Sequence, residues 1–306
     1  MKLAHTASAI AYQSILSQVG SARERWKLKI GKLLFPTPTS QWVHFVHAHP
    51  HLSKEVANFP KLVTKIFRPY VSRQFNCQRR VDHLIQHYKL VDQLGLGSLM
   101  RVAAQQPLLL AHLETKFQQP LELQLSVISQ GHREGEIGLH LIWQGESIFS
   151  LTCSLIQWHG GVALKVAKIQ GAAHPEARGW IRDATKACHG ARPASLLLQA
   201  AQTLGRVMGC HQVVLIGNQN RVALNPFRRW KINANYDALW EEHEATLMDN
   251  GNYLLHTATA SAVDFNQVPS QKRAQVRRKV ELLDQLKSQL SANMARLQTA
   301  PAVSLT

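Results

Sequence analysis

Residues 120–169 constrain the fold more than any other part of the chain. "LELQLSVIS" (121–129) alternates apolar and polar side chains, as a half-buried strand does. "EIGLHLIW" (136–143), "ESIFSLTCSLIQ" (146–157) and "VALKVAKI" (162–169) follow with short joints between them. Two of the joints are hairpin turns, Gln144-Gly145 and "HGG" (159–161), where glycine supplies a positive φ. Strands tied this closely run as an antiparallel meander.

Beyond Ile169 the period changes. "HPEARGWIRDATKA" has Pro175 and Glu176 at a helix start, and "PASLLLQAAQTLGRVMG" is a helix opened by Pro193. "HQVVLIG" (211–217) is a short strand of the buried type, "NYDALWEEHE" a short helix and "NYLLHTATA" (252–260) a final strand. The stretch from Ile169 to Val213 is long enough for a parallel crossover. Residues 120–265 therefore read as one α+β unit, an α/β mixed sheet that is mostly antiparallel.

Both flanks read as helical and basic. Residues 1–119 carry 16 Lys/Arg against 5 Asp/Glu, residues 120–265 carry 12 of each, and residues 266–306 carry 7 against 2. In "ERWKLKIGKLLF", Trp26, Ile30, Leu33 and Leu34 fall at helical spacing with Lys27, Lys29 and Lys32 elsewhere. "FPTPTS" (35–40) breaks the chain at two prolines, and Ser40 is a cap for the helix after it. Helices are expected through "RRVDHLIQHYKLVDQL" and through "SLMRVAAQQPLLLAHLETKF", the latter interrupted at Pro107. At the other end, "VPSQKRAQVRRKVELLDQLKSQLSANMARL" carries a stripe of Val276, Val280, Leu283, Leu286, Leu290, Met294 and Leu297. Lys272, Arg273, Arg277, Arg278 and Lys279 crowd its first turns, where the helix dipole disfavours cations. They mark either a contact with an anionic partner or the solvated end of a docked helix.

The formal net charge of +16 favours anionic partners: acidic lipid headgroups, an acidic protein or nucleic acid. No helix-turn-helix, zinc finger or aromatic stacking platform supports nucleic acid. No run reaches the ~18 apolar residues of a membrane span, and polar residues break up the start of the chain where a signal peptide has its apolar core. A cytoplasmic protein, at most peripheral to the inner membrane, is expected. The four cysteines, Cys77, Cys153, Cys188 and Cys210, lie far apart and read as reduced thiols, with no metal-ligand spacing among them or the sixteen histidines.

The ordered set "IQG" (169–171), "HGARP" (189–193) leading into "LLLQAAQTL", "IGNQNRV" (216–222), "YDALW" (236–240) and "VPSQKRAQVRRKVELLD" (268–284) resembles the VirK/YbjX family of gram-negative bacteria, over roughly residues 45–295. The resemblance implies a cytoplasmic protein linked to the envelope, to surface display of a virulence factor and to resistance against cationic antimicrobial peptides, with no established reaction. This chain has Ala194 where the family often has a cation after "RP", and Gln271 and Val276 where a basic and an aromatic residue are common.

The order of elements in 120–265 also looks like the GNAT-like acyl-CoA N-acyltransferase fold. That likeness implies a pyrophosphate site at the helix from Pro193, a splayed strand at 213–216 that admits a pantetheine arm, and a CoA or acyl-carrier-protein thioester as cofactor. The glycine-rich signature of those enzymes is absent here. His189, Gly190, Arg192 and Pro193 are then the cofactor-binding candidates. A helix start offers free N–H groups, Gly190 lets backbone come close, and Arg192 adds a fork for phosphate. The same residues also make a plain turn in which Arg192 pairs with an acid. Asn218, Asn220, Tyr236 and Asp237 are the catalytic candidates, and each reads equally as a turn or core residue. Cys188 and His189 are neighbours whose side chains diverge, a poor nucleophile pair. Three functions stay open: an accessory protein on an anionic membrane surface, an acyltransferase acting on a lipid or protein amine, and a nucleic-acid binder.

Overall fold

The computed structural model describes residues 2–127, 132–222, 235–257 and 264–299, with side chains from residue 8 onward. Its centre is the meander: β2 (Leu121–Val127), β3 (Ile137–Trp143), β4 (Glu146–Trp158) and β5 (Gly161–Gly171), each antiparallel to the next. The hairpin turns have both central residues at positive φ, Gln144 with Gly145 and His159 with Gly160, the twist that suits two-residue loops. After β5 the chain crosses the sheet through α8 (Ala177–Ala187) and α9 (Pro193–Val207). It re-enters parallel to β5 as β6 (Gln212–Leu215). Pro193 sits in the first turn of α9, where its missing N–H costs nothing. The helix α10 (Tyr236–Glu242) leads to β7 (Thr246–Leu247) and β8 (Tyr253–His256). Among the described residues the sheet has eight strands in the order β1-β2-β3-β4-β5-β6-β8-β7, an α+β protein with one parallel pair in an antiparallel sheet.

β1 (Leu108–Leu113) corrects the expectation of a helix from 98 to 117. The helix α7 (Gly97–Gln105) stops there because Pro107 forces Gln106 into extended backbone (φ −149°, ψ 147°), and the chain continues as a strand. The region read as wholly helical thus contributes the edge strand beside β2. The proline-rich joint is corrected as well. Pro36 opens α3 (Pro36–Ala48), so Ser40 lies inside that helix and donates to the Pro36 carbonyl at 2.7 Å.

Two layers flank the sheet. On one side α9 and the long α11 (Ser270–Thr299) enclose an apolar core with the meander. α11 buries Leu282, Leu286, Leu290 and Met294, a stripe shifted by one residue from Leu283 at its upper end. It also covers the open edge of β1: the His112 N–H donates to Gln289 at 2.7 Å, and Asn293 donates to the Leu110 carbonyl at 3.0 Å. On the other side, α1 (Lys2–Gln18), α2 (Ala22–Leu34), α3, the short α4 (Leu52–Glu55) and α5 (Lys61–Thr64), and α6 (Cys77–Gln93) form a second core around Ile15, Leu28, Trp42, Val63, Ile66 and Leu84.

Candidate functional site

α2 faces the unexpected way. Ser21 caps it by accepting the Glu24 N–H at 3.4 Å, and Arg25 ties its start to the Val19 carbonyl at 2.8 Å. Its buried residues are Glu24, Leu28 and Gly31. Glu24 accepts from Thr64 and from Lys27, and the Phe67 ring lies so close to Gly31 that a Cβ there has no room. Two positions along the helix is a rotation of about 200°, so Trp26, Ile30 and Leu33 fall on the side away from the core. They are 66%, 40% and 80% exposed, and Leu34 extends the same patch, whereas Phe35 stacks on the Phe67 ring on the core side. Cations flank it. Lys32 holds Ser40 and stands over the Tyr12 ring, 5.7 Å from its centroid. Among the described residues Arg23 and Lys29 are exposed without a hydrogen bond or ion pair. The result is an apolar strip with a basic border, the pattern of helices that lie in a membrane interface.

The two basic features read from the sequence meet at one corner. Arg192 forms an ion pair with Glu242 at the end of α10. His189 (φ +54°) and Gly190 (φ +86°) make the turn before α9, and Gln275 of α11 donates to the His189 carbonyl at 3.2 Å. Burial, together with the charges of Arg278 and Lys116, holds the His189 imidazole below its ordinary pKa. Burial, then Arg192 and Lys279, does the same for His243, whose ring is 3.0 Å from the Ser195 hydroxyl. Lys116 and Arg278 thus act on His189, and Arg192 and Lys279 on His243, with Glu281 and Glu242 among them. Lys272 and Arg273 are exposed one turn earlier on α11, where Arg273 donates to the Val268 carbonyl, and Arg277 lies over the Phe265 ring.

Three of the catalytic candidates, Asn218, Tyr236 and Asp237, form a clip that binds α10 to the end of β6. The Asn218 N–H donates to Asp237 at 2.8 Å, and the Tyr236 N–H donates back to Asn218 at 3.0 Å. Asn220 donates to the Asn250 carbonyl and to the Asn252 side chain, at 2.8 and 2.9 Å. Tyr236 is buried, its hydroxyl accepts the Ile169 N–H at 3.0 Å, and Arg221 stacks on its ring. Pairing of β5 with β6 ends at Val166 and Leu215, so the strands do part beyond that point. Tyr236 and Trp240 fill the gap, Trp240 donating to the Ile216 carbonyl at 2.9 Å. Asn218 and Asp237 also line an open depression of about 530 Å³ beside Gly251 and Tyr253. Cys188 is buried and its thiol is pushed up to about 12 by that burial, so it is inert as a nucleophile.

Sequence reasoning missed a second polar centre under the helical layer. Glu136, 1% exposed, accepts from Lys65 and from the hydroxyls of Tyr70 and Tyr88. Burial pushes its carboxyl pKa up, yet Lys65 and the hydrogen bonds outweigh this and hold it below the ordinary value. Burial also holds His87 neutral, with a pKa lowered to about 4. The legible hint was "VDHLIQHY": His83, His87 and Tyr88 fall on or beside the apolar face of α6, where polar side chains need buried partners.

Among the described residues no helix is long and apolar enough to cross a membrane. Fold and surface together define an α+β protein with a helical layer that shows a basic, apolar-faced helix to solvent. The chain belongs to the family described as "Protein of unknown function (DUF535)", which matches residues 17–292 and is the VirK/YbjX grouping expected from the ordered motifs. "Uncharacterized protein YbjX" of Escherichia coli (strain K12) is 26% identical over 272 residues, 87% of this chain and 82% of that one. A protein of Mannheimia haemolytica named "Membrane protein LapB" is 24% identical over 213 residues, 65% of this chain and 86% of its own length. A solved structure titled "cAMP-binding acyltransferase from Mycobacterium smegmatis, E234A mutant" overlaps 66% of this chain and 61% of that one, with a TM-score of 0.34 at 11% identity.

Proposed function

We propose that the protein acts at the bacterial envelope by binding an anionic membrane surface peripherally, through α2. The observation that carries this is the exposed strip of Trp26, Ile30, Leu33 and Leu34 on a helix bordered by Arg23, Lys29 and Lys32. Burying one such side chain contributes about 1.5–3 kcal/mol, and each nearby Lys or Arg on the order of 1 kcal/mol at an anionic bilayer. In this reading the protein sits on the cytoplasmic face of the inner membrane. The roles in virulence-factor display and cationic-peptide resistance that the family resemblance implies belong to that location. The name of the Mannheimia relative is in keeping with it.

Sedimentation with vesicles tests it. The full chain is expected to sediment with vesicles of phosphatidylglycerol and phosphatidylethanolamine, less so in high salt, and weakly with phosphatidylcholine alone. Trp26→Ser with Leu33→Ser is expected to weaken binding at least about tenfold at unchanged melting temperature, given the apolar area removed. Equal binding by the double variant, or none by either protein, rejects the reading.

The basic corner favours a second reading, an acyltransferase whose CoA or acyl-carrier-protein thioester sets its phosphate at the start of α9. The charges of Lys116, Arg278 and Lys279 felt at His189 and His243 support it, and a phosphate there displaces Glu242 from Arg192. The filled gap between β5 and β6 does not leave room for a pantetheine arm without movement of Tyr236. A rise in melting temperature with CoA or acyl-carrier protein, lost in Arg192→Ala, is the expected result; no rise removes this reading and leaves the first intact.

A further inference from the structure

The polar centre around Glu136 closes one end of a cleft of about 770 Å³ between the helical layer and the sheet, within the range of small-molecule pockets. Leu52, Phe59, Leu62, Val91, Met100 and Val127 give it an apolar wall. Glu136, His87 and Tyr88 line it as well. Tyr70 precedes Val71, a fully buried β-branched residue at φ +59°, whose N–H donates to the Arg133 carbonyl.

Two hydrogen-bonding capacities are left over. His87 Nδ1 accepts the Leu155 N–H at 3.1 Å, which leaves the ring proton on Nε2. That Nε2–H has no hydrogen-bond partner among the described residues, and His87 lines the cleft. Among the described residues Glu136 Oε2 accepts from Tyr88 alone, and a carboxylate oxygen has room for a second donor. A group that accepts from one and donates to the other satisfies both.

Charge narrows the choice. Lys65 already neutralises Glu136, so a cation at this end meets Lys65 and an anion meets Glu136. The remaining charged residues of the lining, Lys54, Glu55, Asp92 and Arg101, are balanced in sign and at least partly exposed.

We propose that this cleft binds an uncharged small molecule with an apolar body and a hydroxyl or carboxamide head, the head accepting from His87 and donating to Glu136. This site is separate from α2 and does not depend on the membrane reading.

Calorimetric titration of the full chain with 1-octanol, octanamide, octanoate and octylamine tests it, because the four share one body and differ in the head. Octanol and octanamide are expected to bind, with octanoate and octylamine at least about tenfold weaker, since a buried charge without its own partner is costly. Met100→Trp, which fills the cleft from its wall, is expected to abolish binding of all four while the protein still melts cooperatively. His87→Phe is expected to remove the preference for the amide head. Equal binding of the four compounds, no measurable binding, or binding unchanged in Met100→Trp overturns the proposal. The Met100 variant decides the matter even if His87→Phe fails to fold.

Discussion

α2 and α11 look alike in sequence and are used in opposite ways. Both carry apolar residues at helical spacing among lysines and arginines. α11 turns its stripe inward, with Leu282, Leu286, Leu290 and Met294 no more than 3% exposed. α2 turns its stripe outward, with Trp26 and Leu33 among the most exposed apolar side chains described. The difference lies in what each helix has to cover. α11 crosses an edge strand with open backbone groups, and Gln289 and Asn293 bond to them while the leucines fill the layer below. α2 meets Phe67 and Thr64, and only Gly31 and Glu24 on its other face suit those neighbours. An apolar stripe says that a helix has a partner, without saying that the partner belongs to the same chain.

The comparison breaks or holds most visibly on stability. Leu290→Ala in α11 leaves a cavity in a closed layer and is expected to cost about 2–5 kcal/mol. Leu33→Ala in α2 removes a side chain already in water and is expected to change stability by less than about 0.5 kcal/mol. Urea denaturation of the two variants, read as shifts in midpoint at constant slope, measures both. A Leu33→Ala cost approaching that of Leu290→Ala means that the strip is covered within the protein, and the membrane reading fails with it.

How far the sequence could be read follows the same division. The meander was legible because period-two alternation and two hairpin turns are local signals, and the observed strands lie within a few residues of their expected limits. The start of α9 was legible from Pro193, and the family from the order of several short motifs. β1 was missed because "PLLLAHL" is too short and too apolar to show a period, and the helix before it was extended across Pro107. The direction of α2 was not legible, since it depends on Phe67 and Thr64, more than thirty residues further on. The Glu136 centre was least legible of all. Its members come from Lys65, Tyr70, α6 and the residue before β3, and each alone is an ordinary surface-type side chain. Of the candidate residues at 218–237, Asn220 bonds to Asn250 and Asn252, whereas Asn218, Tyr236 and Asp237 are linked to one another. Their mutual hydrogen bonds show a clip, a role that residue type alone does not separate from a site.

The two layers differ in chemistry as well as in exposure, and pH sharpens the contrast. The layer under α11 is apolar, whereas the layer that carries α2 meets the sheet through Lys65, Glu136, His83 and His87. Burial, reinforced by Lys165, keeps His83 well below its ordinary pKa, and burial keeps His87 down to about 4. Both rings are neutral in the folded chain and take up protons when it unfolds below about pH 6.5. Their contribution is therefore complete above pH 6.5 and is lost as pH falls below it, for His87 down to about 4, at about 1.4 kcal/mol per pH unit for each ring. Glu136, held below its ordinary pKa, adds a further loss in the carboxylate range. Urea midpoints taken between pH 7 and pH 5 are expected to fall steadily, and those of His87→Phe to fall less steeply from a lower start. Hydrogen exchange should show α2, α3 and α6 losing protection in acid before α9 and α11, because the first group rests on the buried His83 and His87, whereas α9 and α11 meet only the less buried His243 and His189 at one end. A flat profile over this range, or equal loss on both sides of the sheet, means that the His87 and Glu136 end of the cleft is hydrated rather than buried. In that case the unpartnered Nε2–H is already satisfied by water, and the preference for an uncharged head has no physical basis.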